Sequence, residues 1–333
     1  MARLLEIKHL STEVTVGSRA IRIVDDVNLS VDKGETLAIV GESGSGKSMT
    51  SLSIMGLLPK PGCRIAEGEV RLAGVDLVSL PEDRMFGIRG AEIAMIFQEP
   101  MTSLNPVLTI GEQIIEVLVY HKKIPRQEAR MQAIALLQKV GFARAEAMLK
   151  EYPHQLSGGM RQRVMIAIAL SCNPRVLIAD EPTTALDVTV QAQILELMKA
   201  LTTETEAAVI LITHDLGVVA ELADRVVVMY AGQVVEDATV LQLFDNPQHP
   251  YTWGLMQSIP RLDEDRPRLN SIPGNVPSPM ALPTGCRFCT RCPHAQDICR
   301  TQAPPMVELA DGQKVRCFIP AGQVQPQPKE VMA

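Results

Sequence analysis

The chain has 333 residues, 46% of them apolar but only 3% aromatic, so a large core is affordable and must be aliphatic. A net charge of −6 argues against nucleic acid as the main partner, because phosphate backbones attract basic surfaces. No apolar run approaches the roughly 20 residues of a bilayer crossing, and Arg3, Glu6, Lys8 and His9 interrupt the apolar start that a signal peptide needs, so the expected compartment is the cytoplasm.

Residues 1–40 read as strands, with Val24–Val31, a Lys33-Gly34-Glu35 turn and a short buried strand at Thr36–Val40. A glycine-rich loop leads into a helix predicted over Lys47–Leu58. Residues 66–98 read as strand and turn, and 107–150 as mostly helical, with helical apolar spacing in Glu112–Tyr120 and Gln127–Val140. Another helix is expected over 158–171. Three apolar runs, Val176–Ala179, Ala208–Thr213 and Arg225–Tyr230, alternate with helix-like stretches, which predicts an α/β fold with a mainly parallel sheet. Near Asn246 the character changes: 14 of the 23 prolines lie from Pro247 onward, which disfavours long helices. The expected units are 1–245 and a loop-rich extension, 246–333, with Gly322–Ala333 disordered.

Gly41-Glu42-Ser43-Gly44-Ser45-Gly46-Lys47-Ser48 fits G-x-x-x-x-G-K-[ST] between a strand and a helix. Glycines let backbone N–H groups curl around phosphate oxygens, and the helix N-terminus adds partial positive charge. Lys47 is expected on the β- and γ-phosphates of ATP, and Ser48 on Mg²⁺. Four fixed positions recur by chance on the order of once per hundred such chains, and the strand–loop–helix context lowers that further. Downstream, the apolar run Val176-Leu177-Ile178-Ala179 delivers Asp180 and Glu181 at a strand end, where ligands bind in open α/β sheets. Asp180 suits the Mg²⁺ shell, and Glu181 suits the base that polarises an attacking water.

Leu156-Ser157-Gly158-Gly159-Met160 lies between these two motifs and resembles the signature of ABC transporter ATPases. A helix cap by Ser157 would be the ordinary reading of an isolated Ser-Gly-Gly. Other pieces resemble the family in its order: Gln98 as the Q-loop glutamine meeting the metal, Ala185-Leu186-Asp187 as the D-loop, and His214 as the switch histidine. The resemblance spans roughly residues 4–320. It implies a RecA-like P-loop core with an antiparallel β subdomain and a helical signature subdomain. It implies Glu181, His214 and Gln98 as catalytic, and an ATP site built from Gly41 to Ser48 plus Ser157, Gly158, Gly159 and Asp187 across a head-to-tail dimer. Mg²⁺ would be held by Ser48, Gln98 and Asp180. The adenine-stacking aromatic usual near the first strand is missing, and Val14 takes its place.

Phe97-Gln98-Glu99-Pro100-Met101-Thr102-Ser103-Leu104-Asn105-Pro106, Tyr152-Pro153-His154-Gln155 and His249-Pro250-Tyr251-Thr252 resemble the di- and oligopeptide importer ATPases. This branch implies peptide cargo, with nickel complexes or glutathione as alternatives. It also implies two transmembrane permease subunits, a second ATPase subunit (a related chain or a second copy), an extracytoplasmic substrate-binding protein, and a peripheral place on the cytoplasmic face of the cell (inner) membrane. A soluble ABC protein of DNA repair or translation would need paired ATPase units or a long coiled coil. An iron- or redox-sensing module is the other alternative.

Five of the seven cysteines lie between Cys286 and Cys317. Cys286-x₂-Cys289-x₂-Cys292-Pro293 followed by Cys299 has the look of iron–sulfur spacing, and four thiolates equally suit zinc. A small proline-rich extension has little core, so a metal staple there is physically sensible. Local spacing favours Cys286, Cys289, Cys292 and Cys299. The resembling importer ATPases carry a [4Fe–4S] cluster in this segment and imply Cys286, Cys292, Cys299 and Cys317, with Cys289 as the alternative ligand.

Overall fold

The computed structural model describes residues 3–99, 103–184, 186–258 and 271–319. The expected disordered tail, Gly322–Ala333, lies outside them. Two sheets dominate. The smaller is antiparallel, in the order β2 (Arg19–Val31), β1 (Leu5–Val16), β4 (Cys63–Leu72), β5 (Val75–Asp76). The larger carries a parallel centre of β3 (Thr36–Val40), β8 (Ala208–Ile212), β7 (Val176–Asp180), β6 (Ile93–Ile96) and β9 (Arg225–Tyr230). Beyond β9 it turns antiparallel through β10 (Gln233–Thr239), β12 (Lys314–Val315) and β11 (Val307–Glu308).

The central strands are apolar throughout because both faces are covered. Successive side chains alternate between them. Leu37, Ile39, Val176, Ile178, Ile210 and Ile212 pack toward the antiparallel sheet. Leu177, Ala179, Val209 and Leu211 pack toward a helical layer. That layer contains α3 (Ile110–Lys122), α4 (Arg126–Lys139), α5 (Ala145–Met148) and α6 (Gly158–Leu170). Thr109 starts α3 with a capping box closed by Glu112.

Three local departures have clear causes. The helix after the glycine-rich loop, α1 (Lys47–Met55), stops before Leu58 because Gly56 is left-handed, φ 62°. Residues 82–88, read as strand and turn, form helix α2, which begins after Pro81 with Glu82 and Asp83 favourably in its first turn. β10, unforeseen, folds back from β9 over Ala231-Gly232, both with positive φ.

The extension shares the main sheet and its core. β12 joins β10 by pairing Val315 with Glu236. Tyr251 and Phe288 pack with Val40, Val226, Val228 and Tyr230. Its described helices are short, Pro250–Gln257 and Asp297–Thr301, as its proline content dictates. Among the described residues, no helix is long and apolar enough to cross a membrane.

Candidate active site

β3 ends in the loop Gly41–Gly46, which turns back to start α1. The turn needs glycine: Gly41, Gly44 and Gly46 have φ of 150°, 80° and 103°. A Cβ on Gly41 would sit 2.2 Å from the Met229 carbonyl oxygen, and one on Gly46 3.2 Å from that of Ile23. The loop is thus pressed against β9 on one side and β2 on the other. Lys47 is buried beneath it, and its Nζ donates to the carbonyls of Gly41 (2.7 Å) and Glu42 (3.1 Å). Burial lowers the pKa of Lys47, opposed by Glu181, Asp180 and Glu42. The Ser45 hydroxyl is buried with no hydrogen-bond partner, a donor inside a loop built to receive oxygen acceptors.

β7 delivers the acidic pair. Ser48 Oγ donates to Asp180 Oδ1 at 3.2 Å. Burial raises the Asp180 pKa, the Ser48 bond opposes it, and Glu181 adds to it. Glu181 follows at φ 46°, a left-handed conformation that carries strain of roughly 1–3 kcal/mol for a non-glycine residue. Its amide donates to Ile212 of β8, and its carboxylate is gripped from three directions. Gln98 Nε2 donates to Oε2 at 2.9 Å, Thr184 Oγ1 donates to the same oxygen at 2.9 Å, and His214 Nδ1 lies 3.4 Å from Oε1. Gln98, Asp180, Glu181, His214, Lys47 and Ser48 therefore meet at the carboxyl ends of β3, β6, β7 and β8, as open α/β sheets place their ligands. Thr184 escaped the sequence reading, since a threonine in Pro182-Thr183-Thr184 carries no signal of its own.

The signature residues form a second patch. Ser157 caps α6, accepting from the Met160 amide at 3.4 Å. Asp187 caps α7 (Val188–Thr205), accepting from Val190 at 3.0 Å. A Cβ on Gly158 would be 3.6 Å from Leu186, and one on Gly159 2.7 Å from Val190 Cγ1, so the two helix starts pack together. Ala185 of the same loop lies outside the described residues, as do Pro100, Met101 and Thr102 of the loop after Gln98. Among the described residues, no hydrogen bond or ion pair links Ser157 or Asp187 to the glycine-rich loop. Val14 is half-buried on β1 opposite Ile21 and Cys63.

A cavity of about 430 Å³ lies elsewhere, at the opposite ends of β3 and β8, beside Lys33, Thr36, Thr202, Glu206 and Asp224. Its Lys33 and Glu206 are paired with each other, and it has none of the motif residues.

The chain matches the ABC transporter family over residues 24–184 and the oligopeptide/dipeptide transporter C-terminal region over 235–299. It is 60% identical over 319 residues to the oligopeptide transport ATP-binding protein AppD of Bacillus subtilis (strain 168), covering 96% of this chain and 97% of that protein. The chain belongs to the ABC transporter ATP-binding proteins, in their oligopeptide/dipeptide branch. The dipeptide transport ATP-binding protein DppD of the same organism is 50% identical over 319 residues, covering 96% of this chain and 95% of that protein. Among solved structures, the dimeric ATP-binding cassette MJ0796, in a post-hydrolysis state bound to ADP and Pi, superposes with a TM-score of 0.63. It is 33% identical, over 71% of this chain and 98% of that one.

In this ABC protein the expected metal-binding extension shows no formed metal site among the described residues. Cys286, Cys289, Cys292, Cys299 and Cys317 do line one cavity, of about 20 Å³, together with His249, Phe288 and His294. Among the described residues, however, no three Cys, His, Asp or Glu side chains are grouped to hold a metal ion. Burial pushes the thiols of Cys286, Cys292 and Cys317 up to about 11, with neighbouring cysteines contributing. The other two, Cys63 and Cys172, lie apart from this cavity and are free.

Proposed function

We propose that this chain binds and hydrolyses ATP to energise import of oligopeptides or dipeptides through a multi-subunit ABC transporter. The observation that carries the reading is the Glu181 carboxylate, held by Gln98 and Thr184 beside His214, on a strand end facing Lys47 and Ser48. The peptide cargo rests on the printed names of the relatives.

ATP would lie on the loop Gly41–Ser48, with backbone N–H groups and Lys47 on its phosphates and the Ser45 hydroxyl supplying a buried donor. The donor set fits Mg²⁺: Ser48, Asp180 and Gln98 offer hard oxygens. When bound, Mg²⁺ supplies charge neutralisation between the phosphates. Glu181 orients the attacking water and takes its proton, its carboxylate aligned by Gln98 and Thr184. His214 lies on the other carboxylate oxygen, placed to meet the γ-phosphate. Ser157, Gly158, Gly159 and Asp187 are assigned to the ATP of a second ATPase subunit. That assignment is supported by their separation from the chain's own loop and by their packing as one patch.

Residues 1–245 would be the engine and 246–333 the extension. The subunit would sit peripherally on the cytoplasmic face of the cell (inner) membrane, against two permease subunits and a second ATPase chain, with a substrate-binding protein outside. The extension is assigned a [4Fe–4S] cluster on Cys286, Cys292, Cys299 and Cys317, with Cys289 as alternative. Five thiols on one cavity fit such a cluster in kind, since its ligands bind separate iron corners and need not converge on one point as zinc ligands do.

Glu181→Gln tests the reading. Turnover should fall about 10²-fold or more while ATP binding persists. Near-normal kcat in this variant would overturn the role of Glu181, and a wild-type chain that neither binds nor hydrolyses ATP would overturn the function.

A further inference from the structure

The cysteine loop reaches the phosphate loop directly. Arg291, between Cys289 and Cys292, points its guanidinium fork at Glu42, the second residue of the phosphate loop. Nη1 donates to Oε2 at 2.6 Å and Nη2 to Oε1 at 3.0 Å. The Arg291 side chain is only 3% exposed. Nε is tied inside the extension to the Pro273 carbonyl at 2.9 Å and Nη2 also to that of Ile272 at 3.2 Å, while Nη1 also donates to the Tyr230 hydroxyl of β9 at 3.4 Å. A bidentate arginine–carboxylate pair fixes orientation as well as distance.

Glu42 is held by the extension a second time. Its backbone N–H donates to the Tyr251 hydroxyl at 2.8 Å, so that amide faces the extension. Its carbonyl accepts from Lys47 Nζ at 3.1 Å. One residue thus has its side chain and amide set by the extension and its carbonyl set by the phosphate-binding lysine. The same cysteine loop is anchored to the engine at a second point, where Arg287 donates to the Ala231 carbonyl at 2.6 Å and to Asp25.

We propose that Arg291 and Tyr251 are positioning residues for nucleotide: through Glu42 they set the shape of the phosphate loop, so nucleotide and the cysteine-lined cavity influence one another. This rests on the ATP reading above. The coupling is necessarily reciprocal in binding free energy. Whatever tightens the cavity around Arg291 tightens the loop's grip on phosphate, and bound nucleotide favours the tightened cavity by the same factor in equilibrium.

The experiment uses the full chain, titrated with a fluorescent ATP analogue and separately labelled with a thiol reagent. Arg291→Met should raise the Kd for the analogue by about five- to tenfold, within the usual range of inter-site coupling. KM for ATP should rise alongside while kcat at saturation moves much less. Glu42→Gln cuts the same link but leaves Arg291 bonded to Pro273 and Ile272, so it carries the test if the arginine variant loosens the extension. The double variant should bind no more weakly than the weaker single one, because both act through one contact. In the wild type the analogue should slow cysteine labelling, and in either variant it should not. Wild-type Kd in Glu42→Gln, or nucleotide protection of the cysteines that survives both substitutions, would overturn the proposal. A wild-type chain that fails to bind the analogue would instead overturn the ATP reading.

Discussion

The packing of the signature helix on the D-loop helix can be tested with a single methyl group. Gly159 lies in the first turn of α6, where alanine would ordinarily gain up to about 1 kcal/mol in helix propensity. Here the new Cβ would lie 2.7 Å from Val190 Cγ1, roughly 1 Å inside the usual 3.5–4.0 Å carbon contact. Val190 cannot easily turn away, since a β-branched side chain in a helix has essentially one χ1 rotamer. Overpacking of this kind costs about 1–3 kcal/mol, enough to outweigh the propensity gain. Gly159→Ala should therefore be neutral to destabilising by about 2 kcal/mol. Val190→Ala alone should cost on the order of 1 kcal/mol, as Val190 is half-buried. The double variant removes the collision, so it should be more stable than the sum of the single effects by about 1 kcal/mol or more. Urea midpoints for the four proteins of this cycle, with unchanged m-values, measure the coupling. Additivity within about 0.5 kcal/mol, or plain stabilisation by Gly159→Ala, would refute the contact.

Gly41→Ala should leave the fold largely intact but weaken ATP binding by roughly tenfold or more, because a Cβ 2.2 Å from the Met229 carbonyl must shift the loop. Unchanged affinity for a fluorescent ATP analogue would sink that reasoning. Arg225 donates to Glu35 (2.5 Å), Asp237 (2.9 Å) and the Ser30 carbonyl (2.6 Å). Arg225→Met should destabilise by about 2–3 kcal/mol, somewhat below a fully buried broken pair, and an unmoved urea midpoint would contradict it. His249 is wholly buried, its Nδ1 accepts from the Tyr251 amide, and burial pushes its pKa from 6.5 down to about 3. Between those values the unfolded chain binds a proton that the folded chain refuses, so stability falls as pH drops below 6.5. At pH 5 this amounts to about 2 kcal/mol. His249→Asn should lose less stability between pH 7 and pH 5 than the wild type, and an equal loss in both proteins would refute the assignment.

What was legible in the sequence shares one property: its chemistry is written in contiguous residues. Gly41–Ser48 follows the apolar strand Thr36–Val40 and Asp180-Glu181 ends the apolar run Val176–Ala179, so the positions of both could be read. The three central runs were located to within a residue because strands buried on both faces leave an unbroken apolar stretch. β10 was missed because its turn is Ala231-Gly232, and alanine at positive φ carries none of the usual Asn-Gly signal. The Arg291–Glu42 fork was missed for a different reason. Its partners are 249 residues apart, and neither residue type is distinctive alone. The five cysteines were seen to be clustered, but spacing could not say that all five would line one cavity together with His249 and Phe288.

The composition itself points to the seam between engine and extension. The chain has few aromatics, six Phe, four Tyr and one Trp, yet Tyr230, Tyr251 and Phe288 converge there with ring centroids 4.7, 5.1 and 5.4 Å apart. Arg291 lies over Tyr230 at 5.8 Å. Beside them Glu236, fully buried, accepts from the amides of Gln248 (2.6 Å) and His249 (2.8 Å) and from the Gln313 side chain (2.6 Å). A seam made only of aliphatic contacts could slide, because such contacts are non-directional. Aromatic edges, a forked ion pair and a carboxylate met by three donors each have one good geometry. The extension is thereby held in register at the phosphate loop, where the Arg291–Glu42 fork joins that loop to the wall of the cysteine-lined cavity.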